Sequence, residues 1–228
     1  MSENLGDRHD LARDALIDAA LVHVPFDGWS AETLRRAIAD SGVEPALAHA
    51  IFPRGAVDLA LAFHYRGDRR LAEWLPQAQG GMTARITQAV WHRLEQVAAE
   101  KEAVRRGAAL FALPMHVADG AQAIWNTADT IWAGLGDRST DYNWYTKRAT
   151  LGAVYSATML YWLGDTTPGH AATRDFLDRR IANVMQIEKA KAKLRDTPAA
   201  RAFAAGPGRL LDRIRPPVPR PMPGRHGL

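Results

Sequence analysis

The sequence predicts an all-α fold, and three observations carry that reading. Apolar residues recur at three- and four-residue spacing through every long segment, no stretch alternates as a half-buried strand would, and Gly or Pro falls where the periodic segments break. The chain has 228 residues, 47% of them apolar, enough to bury a substantial core.

The first helix is expected to present Leu11, Ala15, Leu16, Ala19 and Val22 on one face. Ser30 is placed to cap a second helix carrying Leu34 and Ile38, which the Gly-containing turn 40-DSGV-43 ends. Pro45 suits the first turn of a third, short helix, 45-PALAHAIF-52, stopped by Pro53 and Gly55. A fourth helix starts near Ala56 and runs through Leu59, Leu61 and Phe63. Further helices are expected over about 82–104, 106–112, 115–134, 141–164 and 170–193. The breaks are Gly80-Gly81, Leu113-Pro114, Gly134 to Gly136 and 164-GDTTPG-169. Ser139, Thr140 and Asp141 offer the helix of 141–164 an N-cap and a favourable negative charge.

Composition excludes several functions. With no cysteine there are no disulfides, thiolate zinc sites or cysteine nucleophiles. The eight histidines show no paired metal-ligand spacing, and no nucleophile elbow, phosphate loop or dinucleotide fingerprint is present. The expectation is therefore a protein with no catalysis, metal or cofactor of its own. The N-terminus MSENLGDRHD reads as neither a secretory signal nor a basic transit peptide, and no apolar run is long enough for a membrane span. Abundant Ala and Arg suggest a bacterial cytoplasmic protein.

The net charge of +4 is unevenly spread. Residues 1–62 hold five arginines against ten acids, whereas residues 186–228 hold ten Lys or Arg against three acids. A polyanionic partner is expected to meet the tail.

The order helix, helix, Gly42 turn, short helix outlines a helix-turn-helix module. The stretch 28-GWSAETLRRAIADSGVEPALAHAIFPRGAVDLAL-61 resembles the N-terminal domain of TetR-type transcriptional repressors. Yet 44-EPALAHAIF-52 offers base edges only one Glu and one His, and the acidic module repels a phosphate backbone. The module reads as a repressor scaffold without its DNA-reading surface. A ligand-responsive TetR-type transcriptional regulator stands as the alternative function.

The stretches 109-ALFALPMHVADG-120, 129-DTIWAGLGDRSTDYNWYTKRATLGAVYSATMLYW-162 and 175-DFLDRRIANVMQIEKAK-191 resemble the Coq-nine family of ubiquinone-biosynthesis accessory proteins. The run from Gly136-Asp137 through Asn143-Trp144-Tyr145 to Thr146-Lys147-Arg148-Ala149 is its most specific part. The resemblance implies a TetR-like fold, no repressor function and an apolar cavity for isoprenoid lipid. It also implies association with the di-iron hydroxylase that acts on demethoxyubiquinone. The chain accordingly divides into a degenerate helix-turn-helix module over 1–62, a lipid-binding and dimerisation domain over 63–193, and a basic tail over 194–228.

Candidate lipid contacts on the central helices are Leu110, Phe111, Leu113, Ile124, Trp125, Ile131, Trp132, Tyr155 and Met159, with isoprenoid quinone intermediates or phospholipid as ligands. Each of them also reads as ordinary core packing. Trp144 and Tyr145 read two ways: as core of a helix apolar nearly all round, or as an exposed patch beside Arg148 that meets the hydroxylase. In the tail, Phe203, Leu210, Leu211 and Ile214 interleave with Arg201, Arg209, Arg213 and Arg215. The family's amphipathic C-terminal helix implies membrane contact there, peripheral to the bacterial inner membrane, although Gly206-Pro207-Gly208 interrupts it. A homodimer is implied by the fold resemblance, and no nucleic-acid partner is expected.

Overall fold

The computed structural model describes residues 3–195, so the membrane-contact candidates Phe203, Arg209, Leu210, Leu211, Arg213 and Ile214 lie outside the described residues. Among the described residues the fold is all-α: helices α1 (Glu3–Asp27), α2 (Ala31–Ser41), α3 (Pro45–Ile51), α4 (Ala56–Trp74), α5 (Met82–Glu95), α6 (Lys101–Phe111), α7 (Val117–Gly134), α8 (Asn143–Gly164) and α9 (Ala171–Arg195), with 3₁₀ turns at Leu75–Gln77 and Pro168–His170. No single helix among them is long and apolar enough to cross a membrane. The chain folds into two compact units that interleave along the sequence. The first takes residues 3–70 and Arg93–Ala123, and the second takes Leu71–His92 and residues 124–195.

In the first unit α1 buries Leu16, Ile17, Ala20 and Val24 completely. Leu11 and Val22 are 71% and 66% exposed, so the apolar face expected from them is corrected by a rotation of the helix. At about 100° per residue Leu11 lies about 140° from Leu16, and the inward set continues through Ile17, Ala20 and Val24 instead. Asp18 and Asp14 beside that face pair with Arg66 at 2.6 Å and Arg69 at 3.2 Å.

The α2–α3 region follows the expected punctuation. The Ser30 hydroxyl accepts the Thr33 N–H at 3.2 Å, Gly42 at φ +68° closes α2, and Glu44 and Pro45 open α3. The Trp29 indole donates to the Ala103 carbonyl at 3.0 Å and so fixes this module to α6. In the same unit a buried ion pair joins Arg93 to Asp68 at 2.9 Å, and Arg93 also donates to the His64 carbonyl at 2.9 Å.

The helix expected over 82–104 is two helices, α5 and α6, parted by turns at residues 96–100. Tertiary contacts make the break, which explains why no Gly or Pro announces it. The Gln96 amide donates to the Gly67 carbonyl at 2.7 Å, and Val97 is buried while the backbone tightens into Val97-to-Leu94 and Ala98-to-Glu95 bonds.

The second unit packs Leu71, Leu75, Ile131, Trp162 and Leu177, all fully buried or nearly so. Trp74 stacks on His92 with ring centroids 4.2 Å apart. Gly134 admits Leu75 so closely that a Cβ there would overlap its Cδ1. The α8–α9 corner is held by Asp165, whose carboxylate accepts the backbone N–H groups of Thr167 at 2.8 Å and Thr173 at 2.9 Å together with both hydroxyls. Those bonds, the side-chain ones foremost, hold its carboxyl well below the usual carboxylate range.

Candidate functional site

The segment joining α7 to α8 and the first turns of α8 form a polar and aromatic cluster within the second unit. Gly136 turns the chain at φ +82°, and Asp137 then folds back on its own loop. Its Oδ1 accepts the Ser139 N–H at 3.3 Å and the Ser139 hydroxyl at 2.8 Å, which is an Asx-type turn. The Lys147 ammonium donates to the same oxygen at 2.8 Å and to the Ser139 hydroxyl at 2.7 Å. Burial alone would raise the Asp137 carboxyl, but hydrogen bonds from Lys147, Ser139 and Arg148 outweigh it and lower it to about 2.

Arg148 is the centre of this cluster. Its Nε donates to Asp129 at 2.6 Å, while one terminal nitrogen donates to Asp137 Oδ2 at 3.0 Å and to the Trp144 carbonyl at 3.1 Å. The guanidinium lies 3.9 Å from the centre of the Trp144 ring. Its side chain is 3% exposed, so it meets other groups of this chain and not solvent.

Ser139 serves Asp137 and does not cap the helix, which corrects the expected start of α8. The helix begins at Asn143 after an uncapped Tyr142, and Asp141 accepts the Asn143 backbone N–H at 3.0 Å and its side-chain amide at 2.7 Å. Trp144 and Tyr145 meet edge to face at 4.8 Å, with Trp125 of α7 at 5.8 Å from the first and 6.2 Å from the second. Trp144 is half-buried against Arg148, and Tyr145 is 36% exposed. The three residues singled out together thus have three environments: interior for Arg148, intermediate for Trp144 and surface for Tyr145.

The nine candidate lipid contacts are scattered. Leu110 and Phe111 are half-buried at the end of α6 and Leu113 is exposed, all within the first unit. In the second unit Ile131 and Tyr155 are buried, and Ile124, Trp125, Trp132 and Met159 are half-buried. That unit has a largely apolar cavity of about 190 Å³ between α5, α7, α8 and α9. Trp132 is the candidate that lines it; Ile86, Leu151, Val154, Ile181, Val184 and Met185 complete the apolar wall. Sequence reasoning passed over those six as lipid contacts. The available signal was the spacing of Ile181 with Val184, at i and i+3 on a largely polar helix; Leu151 and Val154 lie on a helix too uniformly apolar to single them out. Asp129, Asp137 and Lys147 were likewise unassigned, although in the case of Asp137 an Asp two residues before a Ser is a recognisable turn-forming pair. Among the described residues no group of three or more His, Asp or Glu is placed to hold a metal ion.

Comparison with known proteins points to the same part of the chain. Residues 117–188, which contain the whole cluster, match the COQ9 family model. The chain is 34% identical over 186 residues to the ubiquinone biosynthesis protein COQ9, mitochondrial, of Drosophila melanogaster, covering 78% of this chain and 57% of that protein. The human protein of the same name is 30% identical over 192 residues, covering 80% of this chain and 60% of that protein. Schizosaccharomyces pombe ubiquinone biosynthesis protein coq9, mitochondrial, is 30% identical over 189 residues, covering 82% of this chain and 75% of that protein. The chain therefore spans somewhat less than two thirds of the fly and human relatives.

Proposed function

The chain belongs to the COQ9 family, and from that premise we propose that it serves ubiquinone biosynthesis without catalysis of its own, holding an isoprenoid quinone intermediate and presenting it to the hydroxylase that acts on demethoxyubiquinone. The observation that carries this reading is the cavity of about 190 Å³ in the second unit, apolar on most of its walls and lying beside the aromatic cluster. Apolar walls stabilise a prenyl chain by about 0.8 kcal/mol for each CH₂ removed from water. The volume falls below the roughly 300–1,000 Å³ of a drug-sized site, so it suits one end of such a molecule.

The outward residues of α3 are Pro45, Ala46, His49 and Ala50, with no Lys or Arg for a phosphate, which supports a partner other than DNA. The order of α1 to α3 supports the TetR-like resemblance. Leu160 and Tyr161 face outward from α8, and Tyr161 stacks on Phe176 of α9 at 4.5 Å, which supports a homodimer through the late helices. Membrane contact through the basic tail, peripheral to a bacterial inner membrane, belongs to the same proposal on the sequence alone. Native mass spectrometry of protein purified from ubiquinone-producing cells tests the reading. A dimer mass carrying an isoprenoid quinone or phospholipid is expected, whereas a ligand-free species that no such lipid stabilises defeats it.

Within this proposal Tyr145 is the partner contact and Trp144 its support. Tyr145→Ala is expected to cost about 1 kcal/mol of stability, the order of its ring contacts with Trp144 and Trp125. The same variant should weaken binding to the purified hydroxylase by about thirtyfold, the effect of losing an interface hot spot. Trp144→Ala should instead cost about 2 kcal/mol in urea unfolding, because the ring under Arg148 is lost. Equal melting losses for the two variants, with hydroxylase binding intact in both, would remove the docking assignment.

A further inference from the structure

If the second-unit cavity holds a lipid, as proposed for this chain, its uneven lining along α8 fixes which way that lipid points. Asn143, Thr146, Lys147 and Thr150 face the cavity first, then Leu151 and Val154. The first four stand at i, i+3, i+4 and i+7, a single stripe of the helix. With a rise of about 1.5 Å per residue, the stripe passes from polar to apolar within about 16 Å. The facing residues of α9, Ile181, Val184 and Met185, are apolar throughout.

The polar groups of the stripe retain hydrogen-bonding capacity. Lys147 directs bonds to Asp137 at 2.8 Å and Ser139 at 2.7 Å, and an ammonium has a third N–H. The Asn143 amide nitrogen donates to Asp141 at 2.7 Å, and its oxygen stays available as an acceptor. Thr146 donates to the Asn143 carbonyl at 3.2 Å and keeps its acceptor lone pairs. Thr150 carries a hydroxyl with no hydrogen bond to another described residue.

Charge balance decides what this end recognises. Lys147 and Arg148 stand against Asp129 and Asp137 at distances of 2.6–3.0 Å, so the cluster has no surplus positive charge. An anionic headgroup gains little from such a set, whereas a neutral carbonyl, phenol or ether oxygen meets a charge-assisted donor in Lys147 and a hydroxyl in Thr150. We propose that Lys147, Asn143 and Thr150 bind the uncharged, oxygen-bearing ring of a quinone or phenol, and that Leu151, Val154 and Ile181 take the first part of its isoprenoid chain. The ring is thereby oriented along α8 within one helical turn of Trp144 and Arg148.

Calorimetric titration of the full chain tests this with three probes: a one-isoprene ubiquinone, the headless isoprenoid hydrocarbon myrcene, and geranyl diphosphate. Lys147→Met and Thr150→Val are each expected to weaken the ubiquinone about tenfold and leave myrcene unchanged, as loss of one charged or one well-placed neutral bond predicts. Thr150→Val touches none of the ion pairs and carries the test alone if Lys147→Met unfolds. Three results overturn the assignment: unchanged ubiquinone affinity in both variants, equal loss for ubiquinone and myrcene, or wild-type preference for the diphosphate. Wild-type protein that binds neither ubiquinone nor myrcene defeats the lipid-binding reading itself, a separate outcome.

Discussion

Arg148→Met is expected to destabilise the protein by about 3 kcal/mol, with the second unit the part affected. Removing one partner of a buried ion pair costs about 3–5 kcal/mol because the remaining charge stays desolvated. The lower figure applies here: Asp137 keeps Lys147 and Ser139, and Asp129 is open enough to recover water. In a chain of this size that corresponds to a fall in Tm of roughly 6–12 °C. Arg148→Lys should recover little, since one ammonium does not span Asp129 and Asp137 while covering the Trp144 ring. The penalty should also depend on pH. Asp137 titrates at about 2 when folded against 3.8 for an ordinary aspartate, so its stabilising effect is complete above about pH 4 and lost as pH falls through 2. Urea unfolding of wild type and variant at pH 7 and pH 2.5 measures both effects. A variant as stable as wild type at pH 7, or a gap that widens in acid, would sink the account.

The expected role of Arg148 shows where the sequence stops being legible. Its position beside two aromatics reads equally well as a docking cation or an interior brace, because either uses the same residue types. What decides between them is Asp137, eleven residues earlier and folded toward it by Gly136 and Ser139. The all-α architecture was readable because helical period, caps and Gly breaks each act within a few residues: Ser30, Gly42 and Pro45 do what their chemistry suggests. The facing of α1 was not, since Leu11 and Val22 belong to one plausible stripe and Ile17 and Val24 to another, and only packing against the rest of the first unit selects between them. The split between α5 and α6 failed to show for a related reason. Gln96 reaches to Gly67, a contact with no local signature. The cavity wall at Ile181 and Val184 went unread because α9 looks like a polar surface helix, and a few apolar residues suffice to line a space this small.

The same distant pairing makes Gly67→Ala the second large effect, with an expected loss of about 3 kcal/mol. Gly67 has ordinary helical geometry, so backbone freedom is not its reason for being there. A Cβ at that position would lie 2.5–2.7 Å from three atoms of the Arg93 guanidinium, inside any tolerable contact. A flexible side-chain end would swing away, but this one is nearly fully buried and held by Asp68 and the His64 carbonyl. The methyl must therefore displace either the ion pair or the α4 backbone, and overpacking of this kind costs about 1–3 kcal/mol before any loss of the pair is counted. Arg93→Ala should cost about 3–5 kcal/mol by itself, because Asp68 is left buried beside a neutral methyl where the guanidinium stood. Combined, the two substitutions should fall short of additivity by more than about 1 kcal/mol, since with Arg93 gone the new methyl has nothing to strike. Chemical denaturation of the two single variants and the double variant gives the coupling directly. Strict additivity would mean that Gly67 answers to something other than the guanidinium, and the explanation for the glycine would have to be abandoned.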